Sequence, residues 1–410
     1  MSGQRGTGRR GRAVMPWAFV VTLVLVSLNL RAPFVAVAPI SGELRRDLGV
    51  GGAAVGTLTS LPVLCFGLFA PVALLVVRRT GAERAVVACL LAVIGGSLLR
   101  SAGSFGLAVA GTVVIGLGIT VGNIVVPVLI RRETPPARVG VVTGVYVSAM
   151  NAGSMLVSLV TAPVAGVTGW RVALGARSVM AAAGLVAWTV FLRHHRRTST
   201  GRADQHRRSR STASRETISP RRKPIAWLLG LAFAGQATSY YALTAWLPTL
   251  LADEIGLGSG AAGAASSVFQ ICAIIGALGV PLVAARTSGW LAIGLVGLCW
   301  MAFPVQLLLA THAYLLGSVL GGIAQGGGFA ALFTVVVQVS HSDRESAQLS
   351  AFVQGVGYVF AAVGPTVLGA THDATGAWTV PVLIVLGTTA AFSVLGVSAA
   401  LTQARHHPPV

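Results

Sequence analysis

Arg31 lies in the first long apolar run of the chain, between Ala18 and Pro39, about halfway along a segment long enough to cross a bilayer. A charge at that depth costs roughly 2.5–3.5 kcal/mol even on the lenient insertion scale, so a central arginine faces a watery cavity or a partner and marks a solute path. Its guanidinium is a planar fork of donors that suits small oxyanions and carboxylates, and it also serves a neutral solute as a hydrogen-bond donor. Every Asp, Glu and His falls in an expected loop or at a helix edge. A cavity built around Arg31 is therefore expected to have positive potential, with no buried carboxylate or imidazole for an ordinary proton relay. Proton coupling would have to run through the solute itself or through a loop carboxylate at the cavity mouth.

Other polar side chains recur at helical spacing. Gln236 and Tyr240 are four apart; Thr120, Asn123 and Pro127 share a side, as do Asn151, Ser154 and Ser158, and Ser350, Gln354 and Tyr358 repeat the pattern. In hydrocarbon such stripes must turn inward. The bland alternative is interhelical bonding worth about 0.6 kcal/mol each. The candidate solute-binding set is Arg31, Asn29, Asn123, Asn151, Gln236, Tyr240, Tyr241, Trp246, Gln325, Gln354 and Tyr358. Within it, Asn29 is turned about 200° from Arg31 around the helix. Arg100 and Arg177 fall close to helix ends and are expected to snorkel. Gly326-Gly-Gly328 is a candidate soft point for gating, while spacings such as Gly118 to Gly122 permit close helix contact.

These residues need helices to hold them. Of the 410 residues 54% are hydrophobic and 10% charged, and apolar runs of about 20 residues recur throughout, which excludes an ordinary soluble domain. The runs predict twelve helices, near 16–40, 53–77, 84–100, 105–130, 139–165, 172–192, 225–250, 261–284, 289–310, 313–339, 346–370 and 378–400. A β-barrel would show short alternating segments instead. The expected fold is an all-α integral membrane protein of twelve transmembrane helices in two six-helix pseudo-repeats.

Arginines crowd alternate loops: Arg5, Arg9, Arg10 and Arg12, then Arg78, Arg79 and Arg84, then Arg131, Arg132 and Arg138, then segment 193–224. By the positive-inside rule these loops and both termini face the cytoplasm, in a bacterial-type cytoplasmic membrane. The same placement at helix borders explains the formal charge of +19 without nucleic acid. A basic leader before Ala36-Val-Ala38 imitates a signal peptide, but cleavage there would remove Arg31 and break the first repeat unit. The four cysteines all lie in apolar runs, so no disulfide or metal is expected. No cofactor is implied, and no grouping of nucleophile, base and metal suggests an enzyme.

The chain repeats itself. Residues 47–60 align without gaps on 254–267, and the register holds through Cys65 and Cys272. Gly169-Trp170 and Ala377-Trp378 precede the sixth and twelfth helices, and Asn29 matches Gln236. The resulting organisation is 1–15 basic N-terminus, 16–192 first six-helix half, 193–224 basic linker, 225–400 second half and 401–410 tail. The linker is rich in Arg, Ser and Thr, so it is expected to be disordered or a surface helix.

Asn29-Leu-Arg31, Leu61-Pro through Ala70-Pro71, Gly122-Asn-Ile-Val-Val-Pro127, Gly169-Trp-Arg171, Tyr240-Tyr through Leu247-Pro248, Gly326-Gly-Gly-Phe329, Gln354-Gly-Val-Gly-Tyr358 and His372-Asp through Ala377-Trp378 together carry a resemblance. The chain resembles the cyanate permease and 2-nitroimidazole transporter family of the major facilitator superfamily, from about residue 17 to 400. The resemblance implies a monomeric secondary carrier of a small solute, anionic and cyanate-like or nitroimidazole-like, with its site at the midplane between halves. Proton-coupled drug export is the rival within that class, and a membrane solute sensor the rival outside it. Two departures stand out. The superfamily's Asp-Arg-x-Gly between helices two and three reads Arg78-Arg-Thr-Gly81, and Ala285 stands beside Arg286 at the related later position. Gating is then expected to use other acids, among them Glu83, Glu133, Asp343 and Glu345. Ala32 also separates Arg31 from Pro33, which shifts the expected kink.

Overall fold

A computed structural model describes residues 17–135, 138–198, 223–284, 286–340 and 343–406. The basic N-terminus, most of the linker and Ala285 lie outside them. All regular structure among the described residues is helical. In chain order it comprises α1 (Trp17–Leu48, interrupted), α2 (Gly52–Leu68 and Ala70–Thr80), α3 (Ala82–Arg100), α4 (Phe105–Glu133), α5 (Val139–Thr168) and α6 (Trp170–Gly175 and Ser178–Thr198). There follow α7 (Lys223–Ile255), α8 (Ser259–Ala284), α9 (Gly289–Leu309), α10 (Tyr314–Val339), α11 (Asp343–Ala361 and Gly364–Thr375) and α12 (Thr379–His406).

Ten of these are long and apolar enough to cross a membrane, and the bent α2 pair makes eleven. The remaining one, α7, has 33 residues and so spans about 50 Å. Its shortfall is apolarity rather than length, because Gln236, Ser239, Tyr240, Tyr241 and Thr244 interrupt it. Valines and leucines such as Val167, Val179, Leu298 and Leu309 are exposed on the outside of the bundle, as lipid contact requires.

Packing repeats with a period of six helices. The pairs α3/α4, α2/α4 and α1/α6 reappear as α9/α10, α8/α10 and α7/α12, and α2 meets α11 as α8 meets α5. Each first helix is also fastened to the last of its set. Trp170 Nε1 donates to the Asp47 carboxylate at 2.8 Å, and Trp378 Nε1 to Asp253 at 3.0 Å. These clasps lie at the end of the bundle opposite Trp17 and His406, here termed the distal end.

Four helices are broken where the sequence suggests single runs. In α1 the first piece ends at Ser27; residues 28–31 form turns, and Arg31 (φ −129°, ψ −36°) precedes the short helix Ala32–Val35 with Pro33 in its first turn. Proline has no N–H to donate and crowds the preceding turn, so the ladder stops there. Pro71 follows the 65° bend of α2, and Pro365 opens the second piece of α11. The interruption in α6, at Ala176-Arg177, has no proline. The α10 glycines do not form a break: a methyl at Gly326 would overlap the Ala273 carbonyl and one at Gly327 would overlap Val280. Their service is close approach of α8 to a continuous helix.

Candidate functional site

The unwound turn of α1 delivers Arg31 to the centre of the bundle. Its Nη1 donates to Asn151 Oδ1 of α5 at 2.7 Å, and its guanidinium carbon lies 4.9 Å from the centre of the Tyr240 ring of α7. A charged donor on an amide oxygen is worth about 1.5–3 kcal/mol, and a cation over a desolvated ring adds about 2. Both contacts fix the fork, and they do so from opposite halves of the helix sequence. The approach of α5 depends on Gly153, since a methyl there would overlap the Leu28 carbonyl in the unwound turn.

A cavity of about 220 Å³ opens beside this arginine, several times the roughly 30 Å³ share of one liquid water. Its wall includes Arg31, Asn123, Asn151, Tyr241, Gln325, Gln354 and Tyr358 of the sequence-derived set. Among the described residues, Arg31 is the one charged side chain in that wall. Gln236 and Tyr240 line a small pocket directly adjoining, which shares Arg31, Tyr241, Gln325 and Tyr358. Gln236 Nε2 donates to the Gln325 carbonyl at 2.8 Å and ties α7 to α10. The Tyr240 hydroxyl and Gln325 Oε1 are buried without a partner, so each offers a hydrogen bond at the site's edge.

Two members of the set stand elsewhere. Asn29 is fully buried against α6, donating to the carbonyls of Leu25 and Met180 at 2.9 and 3.3 Å. Trp246 donates to the Pro365 carbonyl at 2.7 Å and pairs α7 with the broken α11. The cavity adds side chains that sequence reasoning passed over: Thr143, Tyr146 and Met150 on α5, with Phe34, Phe66 and Phe329. The α5 signal was available, because the Asn151-Ser154-Ser158 stripe extends back by fours to Val147 and Thr143. Tyr146 reaches Asn123 Oδ1 at 3.4 Å, a long bond. Around the arginine the aromatics form a connected lining: Tyr241 lies 5.5 Å from Phe34 and 6.4 Å from Tyr358, which lies 5.5 Å from Phe66.

Among the described residues, polar contacts between the first six helices and the last six gather toward the distal end: Ser41 with Thr249 at 2.7 Å, Arg45 with Asp373 at 2.9 Å, Ala53 N–H with Asp373 at 3.2 Å and Ser60 with Thr366 at 3.0 Å. The cavity instead extends along Pro127 and Thr143, toward the end that carries the termini. At that end Arg132 bridges Glu83 and Glu133, at 2.5 and 2.7 Å, joining α3 to α4 within the first six helices. Asp343 and Glu345 begin α11.

Arg100 and Arg177 do not snorkel. Arg100 is wholly buried and donates to the Pro33 carbonyl at 2.7 Å, on the far side of the α1 break from Asn29. Arg177 is 9% exposed.

A polytopic helical bundle with six-helix periodicity, a broken first helix and a central cavity has the architecture of a multi-pass membrane transporter. The chain belongs to the Major Facilitator Superfamily, whose sequence profile matches residues 18–298. It is 32% identical to the 2-nitroimidazole transporter of Escherichia coli (strain K12) over 375 residues, covering 89% of this chain and 90% of that one. Against the cyanate transport protein of the same organism it is 26% identical over 366 residues, covering 87% and 90%. It therefore sits among the cyanate permease and 2-nitroimidazole transporter relatives of the superfamily. The inward open conformation of the xylose transporter from E. coli superposes with a TM-score of 0.72 at 11% identity, covering 96% of this chain and 97% of that one.

Proposed function

We propose that this protein carries a small solute, either an anion such as cyanate or a neutral nitroimidazole, by alternating access around Arg31. The observation that supports this reading is the single guanidinium of the cavity wall, held by Asn151 and Tyr240 amid Tyr241, Tyr358, Phe34 and Phe66. The fork meets the acceptor atoms of either solute, and the rings pack against the rest of it. Uncompensated positive charge in the wall favours anions, and the confined volume favours small cargo over bulky drugs. The solute crosses unchanged, so no catalysis is involved. On this reading the halves 16–192 and 225–400 rock about the site as one monomer, and the positive-inside bias of the arginine-rich loops puts both termini in the cytoplasm. The cavity then faces the cytoplasm, with any coupled proton travelling on the solute.

Flux of labelled cyanate and labelled 2-nitroimidazole into proteoliposomes of the purified protein, with and without an imposed pH gradient, tests the reading. Movement of cyanate alone makes Arg31 a charge filter; movement of the nitroimidazole alone makes it a hydrogen-bond donor. Transport of neither sinks both cargo assignments. Uphill drug efflux driven by the gradient would establish the rival exporter instead.

A further inference from the structure

The first six helices hold a second arginine site, whose cavity shares no lining residue with the one beside Arg31. Arg177 occupies the interruption of α6, between Trp170–Gly175 and Ser178–Thr198. It lines a cavity of about 210 Å³ between α5 and α6, whose other walls include Leu156, Val157, Val160, Val164 and Met180. Leu156 and Val160 are 41% and 52% exposed, so this groove opens on the outer surface of the bundle, which faces lipid. Arg177 Nε and Nη1 are buried with no hydrogen-bond partner. Behind it Arg100 has one bond, to the Pro33 carbonyl, and leaves Nε and Nη2 buried and unbonded. The Trp170–Gly175 piece of α6 packs against the end of α3 that carries Arg100, with a methyl at Gly175 falling 3.4 Å from the Ser101 hydroxyl, which brings both arginines to the same part of the bundle.

Two buried cations without a carboxylate are a large electrostatic liability, which an anion relieves. The positive end of the 21-residue helix starting at Ser178 points to the same place and adds to the attraction. The approach to the site is apolar, which a free inorganic ion would not favour and an acyl chain would. We propose that the interruption of α6 seats an anionic phospholipid, its phosphate on Arg177 and one acyl chain along Val160, Val164 and Leu156. Arg100 stands behind as the second charge, and its Nη1 bond to Pro33 connects the lipid seat to the broken helix that carries Arg31.

The test uses the full-length protein, delipidated in neutral detergent, with thermal unfolding followed while phosphatidylglycerol, phosphatidylcholine or inorganic phosphate is added. Native mass spectrometry counts retained lipid in parallel. Phosphatidylglycerol should raise the melting temperature by several degrees and leave one lipid bound, with little response to the other two. Arg177→Gln should abolish both signals, whereas Arg171→Gln, an arginine on the surface nearby, should retain them. Should Arg177→Gln fail to fold, Val160→Trp fills the groove while leaving both arginines in the chain and should lose the lipid equally. An unchanged phosphatidylglycerol response in Val160→Trp overturns the proposal. So does an equal response to phosphatidylcholine, or an equal response to phosphate alone, which would mark an ion site without a lipid.

Discussion

At the scale of the residue, Arg31 works through geometry as much as charge. Lysine preserves the charge but offers a compact ammonium in place of the fork, so it cannot hold Asn151 Oδ1 and present a second planar pair of donors to a solute. Arg31→Lys is expected to lower kcat/KM for an oxyanionic cargo about tenfold or more in proteoliposome flux, about 1.4 kcal/mol. Wild-type rates in that variant would reduce Arg31 to a point charge. Asn151→Leu leaves the arginine one bond short, at a cost of about 1.5–3 kcal/mol, and should weaken cargo binding with little change in helix content. Arg31, Asn123, Asn151 and Gln354 were legible as cavity-facing residues because a polar atom in a hydrocarbon-spanning run has few other uses. Phe34, Phe66, Tyr146 and Phe329 were not, since in a membrane protein the solvent outside is also apolar and an aromatic lining a cavity reads like one facing lipid. Arg100 and Arg177 misled for a related reason: proximity to a helix end suggested snorkelling, while their direction depends on neighbouring helices.

At the scale of the element, the unwound turn of α1 is the part that makes a site possible, and its neighbours hold it from three sides. Asn29 binds the Met180 carbonyl, Arg100 binds the Pro33 carbonyl, and Gly153 lets α5 approach Leu28. Gly153→Ala must push α5 away and lengthen the Arg31–Asn151 contact. We expect a drop of several degrees in melting temperature together with a loss of cargo affinity. Gly166→Ala, on the same helix with open space around its Cβ position, should show neither. Equal behaviour of the two variants in a paired thermal-shift and binding assay would refute the role assigned to Gly153. Helix positions were readable from apolar runs, and Pro33, Pro71 and Pro365 mark breaks at the residue level. The α6 interruption carries no such mark, because no proline lies within or beside it. In α7, three of the polar residues that interrupt its apolar run, Gln236, Tyr240 and Tyr241, are the ones that reach the site.

At the scale of the whole molecule, the contacts across the two sets of helices decide which end opens. Asp373 of α11 accepts from Arg45 of α1 and also from the Ala53 N–H in the first turn of α2, a helix whose own N-cap residue, Gly51, has no side chain to supply a cap. One carboxylate thus closes an ion pair and caps a helix belonging to the opposite set. A partly exposed ion pair contributes about 0–1 kcal/mol and a cap about 0.5–2. Together these are modest for folding but large for a two-state equilibrium, in which about 1–2 kcal/mol moves the population ratio roughly 5- to 30-fold. Asp373→Asn is therefore expected to leave the fold intact and shift the protein toward a state open at the distal end. Spin labels at Arg46→Cys and Ala374→Cys, both exposed beside the latch, report the separation directly. In the Asp373→Asn background their distance distribution should gain a longer component, and Arg45→Gln should add little to it because the two changes remove the same contact. A distribution identical to that of the parent would mean that the close backbone packing of Gly56 on Pro365 and Gly52 on Gly369 closes the distal end without help from charge.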